Sequence, residues 1–187
     1  MNPRQADPRK LDVAAAAAES LVLEGRWPLA GFERLIEGAD GAAQDGEVHW
    51  SARAQERPVA GSEPEIWLHL AARARVRREC QRCLQPVALE LEVARALRFV
   101  ADEATAEALD AESEDDVLAL PRRLDLHALV EDELLLALPL VPMHVQCPQP
   151  LPTSAGDAPA QASSAPEANP FAVLAGLKRR HGNGGRP

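Results

Sequence analysis

The sequence predicts an α+β fold: an antiparallel β-sheet of meander type, one face covered by amphipathic helices, with a disordered C-terminal tether. Three observations carry this expectation. Three runs between Val48 and Val93 alternate apolar and polar residues, one well-capped helical run spans Asp125 to Leu138, and a proline-, alanine- and serine-rich stretch follows it. A chain of 187 residues has room for one core and its appendages. The expected divisions are an N-terminal extension over 1–18, an α+β domain over 19–147, a linker over 148–168 and a short basic amphipathic segment over 169–187.

Leu21, Val22 and Leu23 read as a first strand, with Gly25 as a turn after it. Pro28 suits the first turn of a helix whose apolar stripe is Leu29, Phe32, Leu35 and Ile36, and Gly38 marks its end. In the next run Val48, Trp50, Ala52 and Ala54 share one face. After the Gly61 to Pro64 turn signal, Ile66, Leu68, Leu70, Ala72, Ala74 and Val76 point inward, and Trp67, His69, Arg73, Arg75 and Arg77 outward. Val87, Leu89, Leu91 and Val93 repeat the pattern, which makes a sheet with one dry face and one wet one.

Residues 102–116 hold eight acidic side chains and no basic one, which predicts a solvated loop or frayed helix. Asp125 can then cap a helix, Leu124 can staple against Leu129, and Leu126, Leu129, Val130, Leu134, Ala137 and Leu138 form the stripe laid on the sheet. Glu131, Asp132 and Glu133 are expected to face water, and Pro139 ends the helix. Six prolines between Pro148 and Pro170, with almost no large apolar residue, cannot offset chain entropy by burial. Asn169 and Pro170 then open a short segment that places Phe171, Leu174 and Leu177 on one face before Lys178, Arg179 and Arg180.

The net charge of −9 argues against a chain that coats nucleic acid or an acidic membrane over its whole surface. The longest apolar stretch, Leu134 to Pro142, is too short to span a bilayer, and the Ala14 to Ala18 run too short for a signal peptide. Three cysteines, two of them in Cys80-Gln-Arg-Cys83, fit a reducing, cytoplasmic setting better than a disulfide framework.

Two constellations could carry chemistry. Cys80 and Cys83 have the spacing by which two thiolates reach one metal ion from a tight turn, and His144 with Cys147 has another, so the four would supply a structural zinc set. Spacing alone does not say that the pairs meet, and reduced thiols in a hairpin are the alternative. Arg73, Arg75 and Arg77 alternate along one strand face with Trp67 and His69, while Arg78 and Arg82 carry positive charge into the turn. From Ile66 to Val100 there are seven arginines to three glutamates, a locally basic region suited to RNA phosphates and bases. The competing account pairs Arg75 with Glu90 and Arg73 with Glu92 across the hairpin. Gly-rich phosphate loops, GxSxG and HExxH are missing from the sequence, so an enzyme is not expected.

Cys80-Gln-Arg-Cys83-Leu84 with Pro86; Leu124-Asp125-Leu126 through Val130-Glu131-Asp132-Glu133; Leu136-Ala137-Leu138-Pro139; Val141-Pro142 with His144; and Asn169-Pro170-Phe171-Ala172-Val173-Leu174 with Leu177-Lys178-Arg179 together resemble, in order, the motifs of the YceD-type large ribosomal RNA subunit accumulation family. The resemblance implies a non-enzymatic ribosome biogenesis factor needed for synthesis, processing or stability of 23S ribosomal RNA, with that RNA or a pre-large-subunit particle as partner. The resemblance leaves open which residues touch RNA; by their spacing and charge Trp67, Arg73, Arg75, Arg77, Arg78, Arg82, Lys178, Arg179 and Arg180 are the candidate RNA contacts, and Phe171, Leu174 and Leu177 the candidate partner contacts. The alternative is an acidic adaptor that binds a ribosomal protein or maturation factor.

Overall fold

The structure is a computed structural model that describes residues 6–37 and 45–148. The alternating runs form its sheet. Strands β1 (Val22–Pro28), β2 (Glu47–Arg57), β3 (Glu65–Glu79) and β4 (Pro86–Val100) pair antiparallel in sequence order, and β5 (Asp116–Ala119) joins β4 in parallel. Val48, Trp50, Ala52 and Ala54 of β2 and Leu68, Leu70, Ala72, Ala74 and Val76 of β3 lie buried on one face. Leu91, Val93, Leu97 and Phe99 of β4 continue it.

Three helices cover that face. Helix α1 (Val13–Ala18) packs on β2 and β3, α4 (Leu126–Leu136) on β3 and β4, and α2 (Glu33–Ile36) against α4. Asp125 caps α4 as expected, accepting the N–H groups of His127 at 2.9 Å and Ala128 at 3.2 Å, a cap worth about 1 kcal/mol. With only four residues α2 cannot hold itself in water. It is held instead by packing of Phe32 and Leu35, both wholly buried, and by α4.

The structure corrects four expectations. Residues 8–18 are not an extension: Leu11, Val13, Ala16 and Ala17 are buried, and Leu11 exchanges backbone hydrogen bonds with Leu124. Gly25 is not a turn but lies inside β1, where a side chain would run into the Trp50 ring 3.1 Å away. The sheet is mixed and not a pure meander, because the acidic stretch folds into α3 (Glu103–Asp110), capped by Asp102, and returns as β5. Glu131 and Glu133 do not face water; they are 7% and 8% exposed. No helix among the described residues is long and apolar enough to cross a membrane.

Candidate metal centre and arginine face

The turn between β3 and β4 closes when Cys80 N–H donates to the Gln85 carbonyl at 2.9 Å and Leu84 N–H to the Cys80 carbonyl at 2.8 Å. Leu84 takes the left-handed conformation this geometry needs, at φ 58°. A second arm leaves α4, kept from continuing as helix by Pro139 and Pro142, and docks where Gln81 N–H donates to the Pro142 carbonyl at 2.8 Å. This brings His144 and Cys147 onto the hairpin.

The two pairs meet, which their spacing in the chain could not establish. The sulfurs of Cys80, Cys83 and Cys147 and a ring nitrogen of His144 all lie within 4.8 Å of one another. Cys80 Sγ is 4.0 Å from Cys147 Sγ, and Cys83 Sγ is 3.4 Å from His144 Nδ1. His144 Nε2 sits 3.1 Å from the Pro86 carbonyl, and the His144 backbone N–H donates to Cys80 Sγ at 3.4 Å. Burial pushes the Cys80 thiol up, but the N–H groups of His144, Cys83 and Arg82 outweigh it and bring the thiol down to about 5. Burial and then the sulfurs of Cys83 and Cys80 push Cys147 up to about 11. None of the three cysteines is in a disulfide.

On the opposite face of the sheet the strand register orders the charges. Arg73 stands across from Glu92 and Arg75 from Glu90, the pairing expected from the hairpin. Only Arg75 forms the ion pair, at 3.1 Å, between two largely exposed side chains, so it adds little stability. Arg77 stands across from Ala88, and Arg53, Arg73 and Arg77 make no ion pair among the described residues. Between the row His49, Arg73, Glu92 and the row Arg53, His69, Ala96 runs a row of small residues, Ser51, Ala71 and Ala94. These make the floor of a shallow trough, two adjoining depressions that share Ser51 and Ala71 and reach Arg73 on one side and Arg53 on the other. Sequence reading missed Arg53 and this floor. The signal that could have found them is small residues at matched positions in three neighbouring strands, visible only once register is known.

Two of the candidate RNA contacts prove to be occupied. Trp67 does lie on the outer face but is 3% exposed: its indole N–H donates to Glu65 at 2.9 Å and the Arg57 guanidinium sits 3.9 Å over its ring. A base could stack on it only by displacing Arg57. Arg78 turns to the core side of β3 and donates to the Leu35 carbonyl at the end of α2. Arg82 is exposed on the hairpin, with Met143 Sδ 3.8 Å away. Phe171, Leu174, Leu177, Lys178, Arg179 and Arg180 lie outside the described residues, as does nearly all of the expected linker.

Comparison with known proteins adds two findings. A family model described as large ribosomal RNA subunit accumulation protein YceD matches residues 68–178. A large ribosomal RNA subunit accumulation protein YceD of Haemophilus influenzae is 31% identical over 178 residues, covering 92% of this chain and 97% of that protein. No solved structure gives a significant match.

Proposed function

This chain belongs to the YceD family of large ribosomal RNA subunit accumulation proteins, and from that premise we propose that it promotes accumulation of large-subunit ribosomal RNA by binding it, without catalysing a reaction. The contact is the trough on the outer face of the sheet. Its site of action is the cytoplasm, where that RNA is assembled into subunits.

The observation that carries the reading is the row Ser51, Ala71 and Ala94 between Arg53 and Arg73, neither of which is ion-paired among the described residues. Small side chains let a nucleic-acid backbone come close to the sheet, and guanidinium groups on both walls suit phosphate better than lysines would, because their planar fork donates two bonds at once. Arg77 and Arg82 continue the positive charge toward the hairpin end. With a net charge of −9, phosphate affinity outside such a local patch is weak, which confines RNA to one region.

The second reading, an acidic adaptor for a ribosomal protein or maturation factor, is favoured by the same net charge. Filter binding of large-subunit RNA fragments across a range of salt separates the two. RNA contact predicts binding that falls steeply with salt, and Arg53→Gln, Arg73→Gln and Arg77→Gln combined should flatten the slope by roughly 2, at about 0.7 per phosphate on a single strand. RNA binding absent at low salt, or unchanged in the triple variant, sinks the trough as the RNA site. Salt-sensitive capture of a basic ribosomal protein in its place would favour the adaptor.

A further inference from the structure

We propose that Cys80, Cys83, His144 and Cys147 hold one zinc ion, a closed structural centre that clamps the chain leaving α4 onto the β3–β4 hairpin. Three sulfurs and one imidazole nitrogen make a donor set for zinc and for few other common cations; magnesium and calcium want oxygen.

All four ligand atoms lie within 4.8 Å of one another, and two of the spacings match a tetrahedron closely. With zinc about 2.3 Å from sulfur and about 2.0 Å from nitrogen, tetrahedral angles put two sulfurs roughly 3.8 Å apart and sulfur and nitrogen roughly 3.5 Å apart. The corresponding distances are 4.0 Å between Cys80 and Cys147 and 3.4 Å between Cys83 and His144 Nδ1. The imidazole is also set for the task. Nε2 faces the Pro86 carbonyl at 3.1 Å, an acceptor only, so Nε2 carries the proton and the Nδ1 lone pair points into the cluster. The His144 N–H on Cys80 Sγ supplies the kind of second bond that steadies a metal-bound thiolate. Four protein ligands leave no position for substrate, so the centre is structural.

The arm itself supplies the reason for a clamp. Leu140 and Val145 are fully exposed and Val141 and Met143 about half so, which means the segment buries little with which to offset its ordering. Apart from the bonds made by His144 and Cys147, its ties among the described residues are slight: the Gln81 to Pro142 bond and the Arg82 contact with Met143. A metal crosslink between residues more than 60 positions apart fixes the arm as no surface contact of this size could, and with it the point at Pro148 from which the chain runs on.

The test is metal analysis of the full chain, purified under reducing conditions without chelator. The expected result is one zinc per chain, with affinity at least about 100-fold weaker in Cys83→Ala and in Cys147→Ala, and largely kept in Cys147→His, which replaces one zinc ligand with another. Substitution with cobalt(II) should give the intense visible bands of tetrahedral thiolate coordination. Should the alanine variants not fold, the cobalt spectrum of the intact chain decides, and an octahedral spectrum overturns the proposal. So do a chain with three free thiols that takes up no added zinc, undiminished affinity in the two alanine variants, or a Cys80–Cys147 disulfide in freshly isolated protein.

Discussion

The carboxylate of Glu131 on α4 receives Arg34 of α2 twice, through the backbone N–H at 2.9 Å and through the guanidinium at 2.9 to 3.0 Å. The same oxygen that takes the Arg34 N–H also takes that of Leu35 at 3.3 Å. Glu131 is therefore a cap supplied from another helix. It satisfies first-turn N–H groups that a four-residue helix beginning after Phe32, which offers no side-chain cap, would leave open. Asp132, one residue on, pairs with the exposed side of Arg34 at 2.6 Å.

Glu131→Ala should accordingly destabilise the fold well beyond what loss of a surface acid would do. The buried Leu35 N–H alone, left without a partner, costs about 1 to 3 kcal/mol. Glu131→Gln keeps an acceptor and should cost less, while Asp132→Ala should be nearly neutral. Urea unfolding of the three variants checks the order; equal effects of Glu131→Ala and Asp132→Ala would show that the cap carries no weight.

Glu131 also marks where sequence reading stops. Period-2 alternation identified β2, β3 and β4 because one face of each is buried along its length, and Asp125 announced α4 because a cap is local chemistry. Two cysteines, a histidine and a third cysteine were legible as ligand types but not as one cluster, since their meeting depends on where α4 ends in space. Glu131, Glu133 and Arg78 looked like surface charge because their partners, Arg34, Arg95 and the Leu35 carbonyl, are 38 to 97 positions away and no periodicity encodes them. The acidic run, read as a solvated loop or frayed helix, likewise hid β5: a parallel strand of four residues has no hairpin signal to announce it.

Gly25 is expected to tolerate no branched side chain. Trp50 lies buried beneath it and stacked on Trp27, ring centroids 4.2 Å apart, so the ring cannot retreat from a new Cβ 3.1 Å away. Gly25→Val should cost about 1 to 3 kcal/mol by overpacking, although valine is the better strand former. Thermal unfolding read by tryptophan fluorescence follows both the stability and the disturbed stack; a Tm at or above that of the unaltered chain would contradict this account.

Stability should fall as pH drops below about 6.5. His127 is stacked on Phe32 at 4.1 Å between the sheet and α2, and burial, then Arg9, lowers its pKa despite opposition from Asp125 and Glu131. The unfolded chain then binds the proton more readily than the folded one. The contribution is complete above the unfolded value, is lost between that value and the lowered folded one, and is level below. His127→Gln removes this part of the slope whatever it does to absolute stability. Comparing urea midpoints of the two chains at each pH from 7.5 to 5 cancels the other titrating groups, and parallel curves would show that His127 is not responsible.

The trough can be blocked without touching any arginine. Ala71 is exposed at the centre of its floor, flanked by Ser51 and Ala94 across the strands and set between the rows that hold Arg53 and Arg73. A glutamate there projects from the outer face into solvent, so the sheet loses only the small difference in strand preference, within about 1 kcal/mol. Its carboxylate would compete with phosphate for the two guanidinium groups and fill the space above the floor. Ala71→Glu should therefore weaken large-subunit RNA binding by about ten-fold or more and flatten its salt dependence, while Ala71→Ser leaves both unchanged. Glutamate at Ala104, exposed on α3 and not among the residues that line the trough, is the control for charge alone: if Ala104→Glu weakens RNA binding as much as Ala71→Glu, net charge and not the trough governs the contact.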